Sequence, residues 1–110
     1  MTDLNEKLKL VAQYTGAIGV AESGYRPSEG VYKPYKFHTD YNEQIPVWQK
    51  VVAAMRETID GYNPKGISEH DFKIMQFDTD YSEQINNGTP LESFEILVQA
   101  IQFINNLKQK

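Results

Sequence analysis

The chain has 110 residues, 40% of them apolar, 24% charged and 12% aromatic, which supplies one hydrophobic core and is too little for a two-domain enzyme. Cysteine is absent, so disulfides, thiolate metal sites and a catalytic thiol are excluded, and a cytoplasmic protein held by burial alone is expected. Eleven Lys and Arg against fifteen Asp and Glu give a net charge of −4 without a basic stripe, which argues against nucleic acid as a partner. No apolar run reaches membrane-spanning length, and MTDLNEKLKL lacks the basic region and apolar stretch of a signal peptide.

In chain order, Leu4, Leu8, Val11, Ala12 and Thr15 recur at helical spacing after a candidate Asp3/Glu6 capping box, and Gly16 is a stop; a helix near 3–15 is expected. The glycine- and proline-punctuated stretch to Pro34 reads as a loop anchored by Tyr25, Tyr32 and Tyr35. Alternation over 35–38 predicts a short strand with Tyr35 and Phe37 inward. Trp48, Val51, Val52, Met55 and Ile59 form one apolar stripe, predicting a helix near 42–60 that is capped by Asp40 or Asn42, carries Pro46 in its first turn and closes at Gly61. A connection follows with turn signals at Asn63-Pro64 and Lys65-Gly66, then a brief strand at Ile67 and a strand near 72–78. Thr89, Pro90 and Glu92 make the strongest start signal in the chain, opening a helix near 90–108 with Leu91, Phe94, Val98, Ile101 and Ile104 as its stripe. The expected fold is α+β, a single small domain over residues 1–110 with about three helices packed on a short β-sheet. Its core is centred on Trp48, Val52, Met55, Phe94, Val98 and Ile101.

Residues 37–45, FHTDYNEQI, return as residues 77–85, FDTDYSEQI, identical at seven of nine positions. The likeness stops on both sides, so a repeat architecture does not follow; the reading preferred is that each copy ends a strand and caps what comes next, with Asp40 and Asp80 as the caps. If the two strand ends shared an edge, His38, Asp40, Glu43, Asp78, Asp80 and Glu83 would gather five carboxylates and an imidazole able to hold Mg²⁺ or Mn²⁺. Acidic residues at helix starts are expected from the helix dipole without any metal, and that reading is preferred. Asp78-x-Asp80-x-Ser82 is not a calcium loop, since Glu83 stands where glycine is needed and Thr89 where a bidentate Glu is needed. Two histidines, no nucleophile elbow and no phosphate-binding glycine fingerprint leave catalytic residues unassigned, and no cofactor is expected.

The stretch 36–51, KFHTDYNEQIPVWQKV, combines a short aromatic-His strand, an aromatic residue and Ile45-Pro46-Val47-x-x-Lys50, close to a helix of the pattern Leu/Ile-x-Pro-Val-x-x-Lys. It resembles small uncharacterised proteins of phages and prophages. These also carry an N-terminal helix like Leu8–Tyr14 and a closing helix like Ala100–Ile104. Tyr41 stands where that family often has Trp, and Asn105-Asn106-Leu107 where an aromatic pair is common. The resemblance implies helices on a sheet, a phage-like origin and an intracellular setting in the host, and it carries no established activity.

The function expected is that of a small non-enzymatic binding or regulatory protein acting by contact with a host or phage protein. Its contact surface is sought in 17–34 or in an acidic loop over 78–88, with Tyr25, Arg26 and Tyr32 as the leading binding residues. The alternative is a carboxylate-based metal-dependent enzyme or nucleotide binder built on the two Thr-Asp-Tyr segments. Oligomeric state is left open.

Overall fold

A computed structural model describes residues 3–28, 30–59 and 66–108. Its elements are α1 (Asp3–Tyr14), β1 (Gly19–Val20), β2 (Gly24–Arg26), β3 (Lys33–Pro34), α2 (Tyr41–Arg56), α3 (Glu69–Asn87) and α4 (Pro90–Lys108). The α+β class holds, with four helices in place of three. The small sheet is antiparallel in the order β1-β2-β3, with Val20 opposite Tyr25 and Tyr25 opposite Lys33.

Each helix follows from local chemistry. In α1, Leu8, Val11 and Ala12 are buried; Asp3 is itself helical, so the expected Asp3 cap is displaced, while Gly16 at φ +92° ends the helix as expected. Asp40 is the N-cap of α2, its carboxylate accepting the Asn42 N–H at 2.9 Å. Pro46 lies beyond the first turn, in the helix interior, where its missing N–H removes one helical hydrogen bond at an exposed position. The helix closes at Glu57, and Thr58 Oγ1 donates to the Met55 carbonyl at 2.7 Å, four residues before the stop expected at Gly61. Gly61 and the turn signals at 63–65 lie outside the described residues. In α4, Thr89 Oγ1 accepts the Glu92 N–H and Pro90 opens the helix, as the sequence predicts.

The main correction concerns residues 69–87, which form one helix and neither the strand at 72–78 nor the acidic loop after it. Its buried residues Ile74, Phe77 and Tyr81 are three and four apart, which is helical spacing, and Ser68 Oγ caps the start by accepting the Asp71 N–H at 3.1 Å. Residues 35–38 and Ile67 also lie outside strands. The strands sit instead within the stretch expected to be loop. There Gly24 is required because a Cβ would collide with the Lys33 carbonyl of the neighbouring strand.

α4 is the centre of the molecule. Phe94, Leu97, Val98, Ala100, Ile101 and Ile104 are buried along it, and it packs on α1, α2 and α3. Trp48, Met55, Phe94, Val98 and Ile101 are core residues as expected, while Val52 is only half-buried. Tyr25 stacks between Tyr35 and Phe37, with centroids 5.6 and 5.2 Å away, and so fastens the sheet to the helices.

One side chain joins four segments. Gln44 of α2 is fully buried. Its Nε2 donates to the carbonyls of Phe37 at 2.6 Å and Pro90 at 2.9 Å, while its Oε1 accepts from Tyr81 at 2.7 Å and Ser93 at 2.6 Å. Both amide protons and both lone pairs are used. Gln44→Leu is expected to lower unfolding free energy by about 3 kcal/mol or more, because it strands several buried polar groups at once; chemical denaturation measures this. In the same assay Asp40→Asn should be nearly silent, Asp40→Ala should cost about 0.5–2 kcal/mol, and Asp80→Ala should stay within about 0.5 kcal/mol, since Asp80 is exposed in mid-helix and caps nothing.

Candidate functional site

α2 and α3 share a face with α4 yet touch one another least among these three helices. Between them runs a groove formed by two adjoining hollows of about 340 and 310 Å³. Ile45, Gln49, Val52 and Arg56 line the α2 wall, and Asp78, Ser82 and Ile85 line the α3 wall. On each helix these positions alternate by three and four residues, which is the spacing of a seam offered to another helix. Met75, exposed to 50%, continues the α3 seam one turn further. From Ile45 to Arg56 the groove is about 16 Å long, three helical turns.

The floor is rigid and aromatic. Trp48 and Tyr81 stack at 4.0 Å with their planes 12° apart, and the Tyr81 hydroxyl is held by Gln44 beneath them. Burial, with a smaller contribution from Tyr41, pushes the Tyr81 hydroxyl far above the ordinary tyrosine range, so it stays a neutral donor. At one end Arg56 and Asp78 face each other across the groove at 3.8 Å, both side chains substantially exposed; a pair of that kind contributes little and opens readily.

The binding residues expected from sequence divide. Tyr25 is 5% exposed and belongs to the core, because its ring points inward from β2. Arg26, next in the strand, points outward and is exposed. Tyr32 is 51% exposed, with its hydroxyl on Ser23 Oγ at 2.6 Å and its ring against Gly24, so it lies on the same outer face as Arg26. The metal candidates are not brought together. His38 packs on Phe94 with centroids 6.1 Å apart, Asp40 caps α2, Glu43 pairs with Lys33 at 2.9 Å, Asp78 faces Arg56, and Asp80 and Glu83 are exposed along α3. Among the described residues no three His, Asp or Glu side chains are grouped to hold a metal ion.

Sequence reasoning takes both Trp48 and Val52 as core and passes over Ile45 and Ile85 as a wall. The signal available was the pairing of Ile45 with Ile85, equivalent positions in the two nine-residue copies, which now line one hollow. Comparison of the chain with protein-family models, curated proteins and solved structures finds no match. Among the described residues no helix is long and apolar enough to cross a membrane.

The buried hydroxyls make the molecule sensitive to alkali. Tyr14, Tyr25, Tyr35 and Tyr81 are all raised chiefly by burial. A native value above the unfolded one contributes stability at lower pH and loses it as pH rises. Denaturation midpoints are expected to hold level from neutrality to about pH 9 and fall above about pH 10, where an unfolded tyrosine ionises. Tyr81→Phe should flatten part of that fall.

Proposed function

We propose that this protein is a small non-enzymatic binding or regulatory protein of phage type, acting in the host cytoplasm by contact with a host or phage protein. Its contact surface is the groove between α2 and α3, and the occupant is an amphipathic helix of that partner. One observation carries the reading: two helices already docked on α4 leave facing seams, Ile45/Gln49/Val52/Arg56 and Asp78/Ser82/Ile85, at the spacing that accepts a further helix. The stacked Trp48 and Tyr81 rings beneath them supply a preformed floor, so little ordering is needed on binding. The stretch 78–88, expected as a recognition loop, contributes here as a helix face. The resemblance of residues 36–51 to phage proteins supports the setting. The outer sheet face with Arg26 and Tyr32 is the weaker surface, because Tyr32 is spent on Ser23 and Gly24 of its own hairpin.

A photo-crosslinking side chain at Gln49, which lines the groove and is exposed, tests this in host cells. A discrete adduct is expected, mapping to an amphipathic helix of the partner, and the same label at exposed Gln102 on α4 should give none. Val52→Glu should weaken the purified complex by about 2 kcal/mol with the fold retained. Adducts from Tyr32 in place of Gln49, or turnover of a phosphate ester or nucleotide that is lost on Asp40 or Asp80 substitution, would overturn the reading.

A further inference from the structure

On the other flank of α2, the C-terminal turns of three helices meet around an open cavity of about 600 Å³. Gln13 and Tyr14 come from the end of α1, Ala53 from the last turn of α2 with Glu57 as its cap, and Asn105 from the last turn of α4. Each helix end presents the negative pole of its macrodipole, about half an elementary charge. The Glu57 carboxylate joins these poles on the same wall, where Lys50 is the facing cation.

The chain's own cation shows what this wall attracts. Lys50 Nζ stands 5.5 Å from the centroid of the Tyr14 ring and donates to the Tyr14 carbonyl, the last of α1, at 3.3 Å. An ammonium is thus held by an aromatic face and a helix-terminal carbonyl together. Lys50 is exposed and its hydrogen bond to Tyr14 is long, so it is displaceable. Glu57 bears on the same tyrosine, whose hydroxyl is raised by burial and then by that carboxylate.

We propose that this cavity binds a small aliphatic diamine, one ammonium replacing Lys50 at the Tyr14 face and the other reaching Glu57. The wall between these points is mixed in the way such a ligand needs. Leu10 and Ala53 accept methylenes, and the side-chain amides of Gln13 and Asn105 accept hydrogen bonds from ammonium groups. The site opens on the opposite flank of α2 from the groove and shares Ala53 with it.

Titration of the isotope-labelled full chain with 1,4-diaminobutane at low ionic strength, followed by amide NMR, tests the proposal, with succinate as the anion of matched length. Saturable shifts are expected at Gln13, Ala53 and Asn105 with the diamine and not with succinate. Glu57→Gln should weaken binding roughly tenfold. Lys50→Met should tighten it, because the competing internal cation is gone, whereas a purely structural Lys50 would leave affinity unchanged or lower it. Both positions are exposed, so an unchanged melting temperature separates loss of binding from loss of fold. Shifts spread over the acidic surface without saturation, equal binding of succinate, or a Glu57→Gln variant with native affinity would overturn the site.

Discussion

Gln44 sets the arrangement of everything around it. An amide buried without partners would cost several kcal/mol, and here it is completed only if Phe37, Pro90, Ser93 and Tyr81 all arrive together. Those four residues belong to the segment before α2, to the start of α4 and to the middle of α3. Apolar contacts alone would tolerate sliding of one helix along another; a four-bond amide does not. The Phe37 bond fixes how the chain enters α2 and brings its ring onto Tyr25 and the sheet. The Tyr81 bond fixes the axial position of α3, and with it the Trp48 stack.

The groove is a consequence of that same constraint. α4 is apolar around enough of its circumference to accept α1, α2 and α3 at once. α2 and α3 are therefore each docked on α4 before they need one another. Between them stand two large aromatic rings, face to face, with the Tyr81 hydroxyl tethered below. Smaller side chains would let the helices close and bury Ile45, Val52 and Ile85. The stack holds them apart, and the half-buried aliphatic wall is the result. Filling such a gap would add stability, and the stacked pair is what keeps the two helices from doing so.

Much of this was legible in the sequence. α1, α2 and α4 announce themselves through wide apolar stripes and, for α2 and α4, through Asp40 and the Thr89-Pro90-Glu92 start; most of the core follows from those stripes. α3 was misread for a definite reason. Over residues 72–77 apolar residues fall on both faces of any strand, and that short window satisfies a two-residue period as well as a helical one. The longer register, Ile74, Phe77, Tyr81 and Ile85 behind the Ser68 cap, decides for helix. The sheet was missed because strands of two or three residues leave almost no periodic trace, and Gly24 there signals close approach of a neighbouring strand where the sequence suggested only a loop. Tyr25 was misplaced by the same error: only once β2 exists does it point inward while Arg26 points outward. The groove was illegible for another reason, since it depends on which helices share α4, and no single helix carries that information.

The two nine-residue copies show how far context outweighs local sequence. In the first copy the Thr-Asp pair breaks the chain and Asp40 caps a new helix; in the second the same pair continues a helix already running. The difference lies upstream. Tyr35 and Phe37 are drawn onto Tyr25, which holds the chain out of helix until Asp40, whereas Ser68 starts α3 nine residues before Phe77 and propagation through the copy then adds one bond per residue at little cost. Yet the copies are not independent. Gln44 of the first accepts the hydroxyl of Tyr81 in the second, and Ile45 and Ile85, their last residues, face the same hollow. Identical residues placed on two different backbones meet and become complementary, a Gln from one and a Tyr from the other. The equivalent Gln84 has another place, beside Gly88 at the end of α3. In both segments the phenylalanine, Phe37 or Phe77, is buried and the last isoleucine, Ile45 or Ile85, lines the hollow between α2 and α3, whereas the Thr-Asp pair is a hinge in the first copy alone.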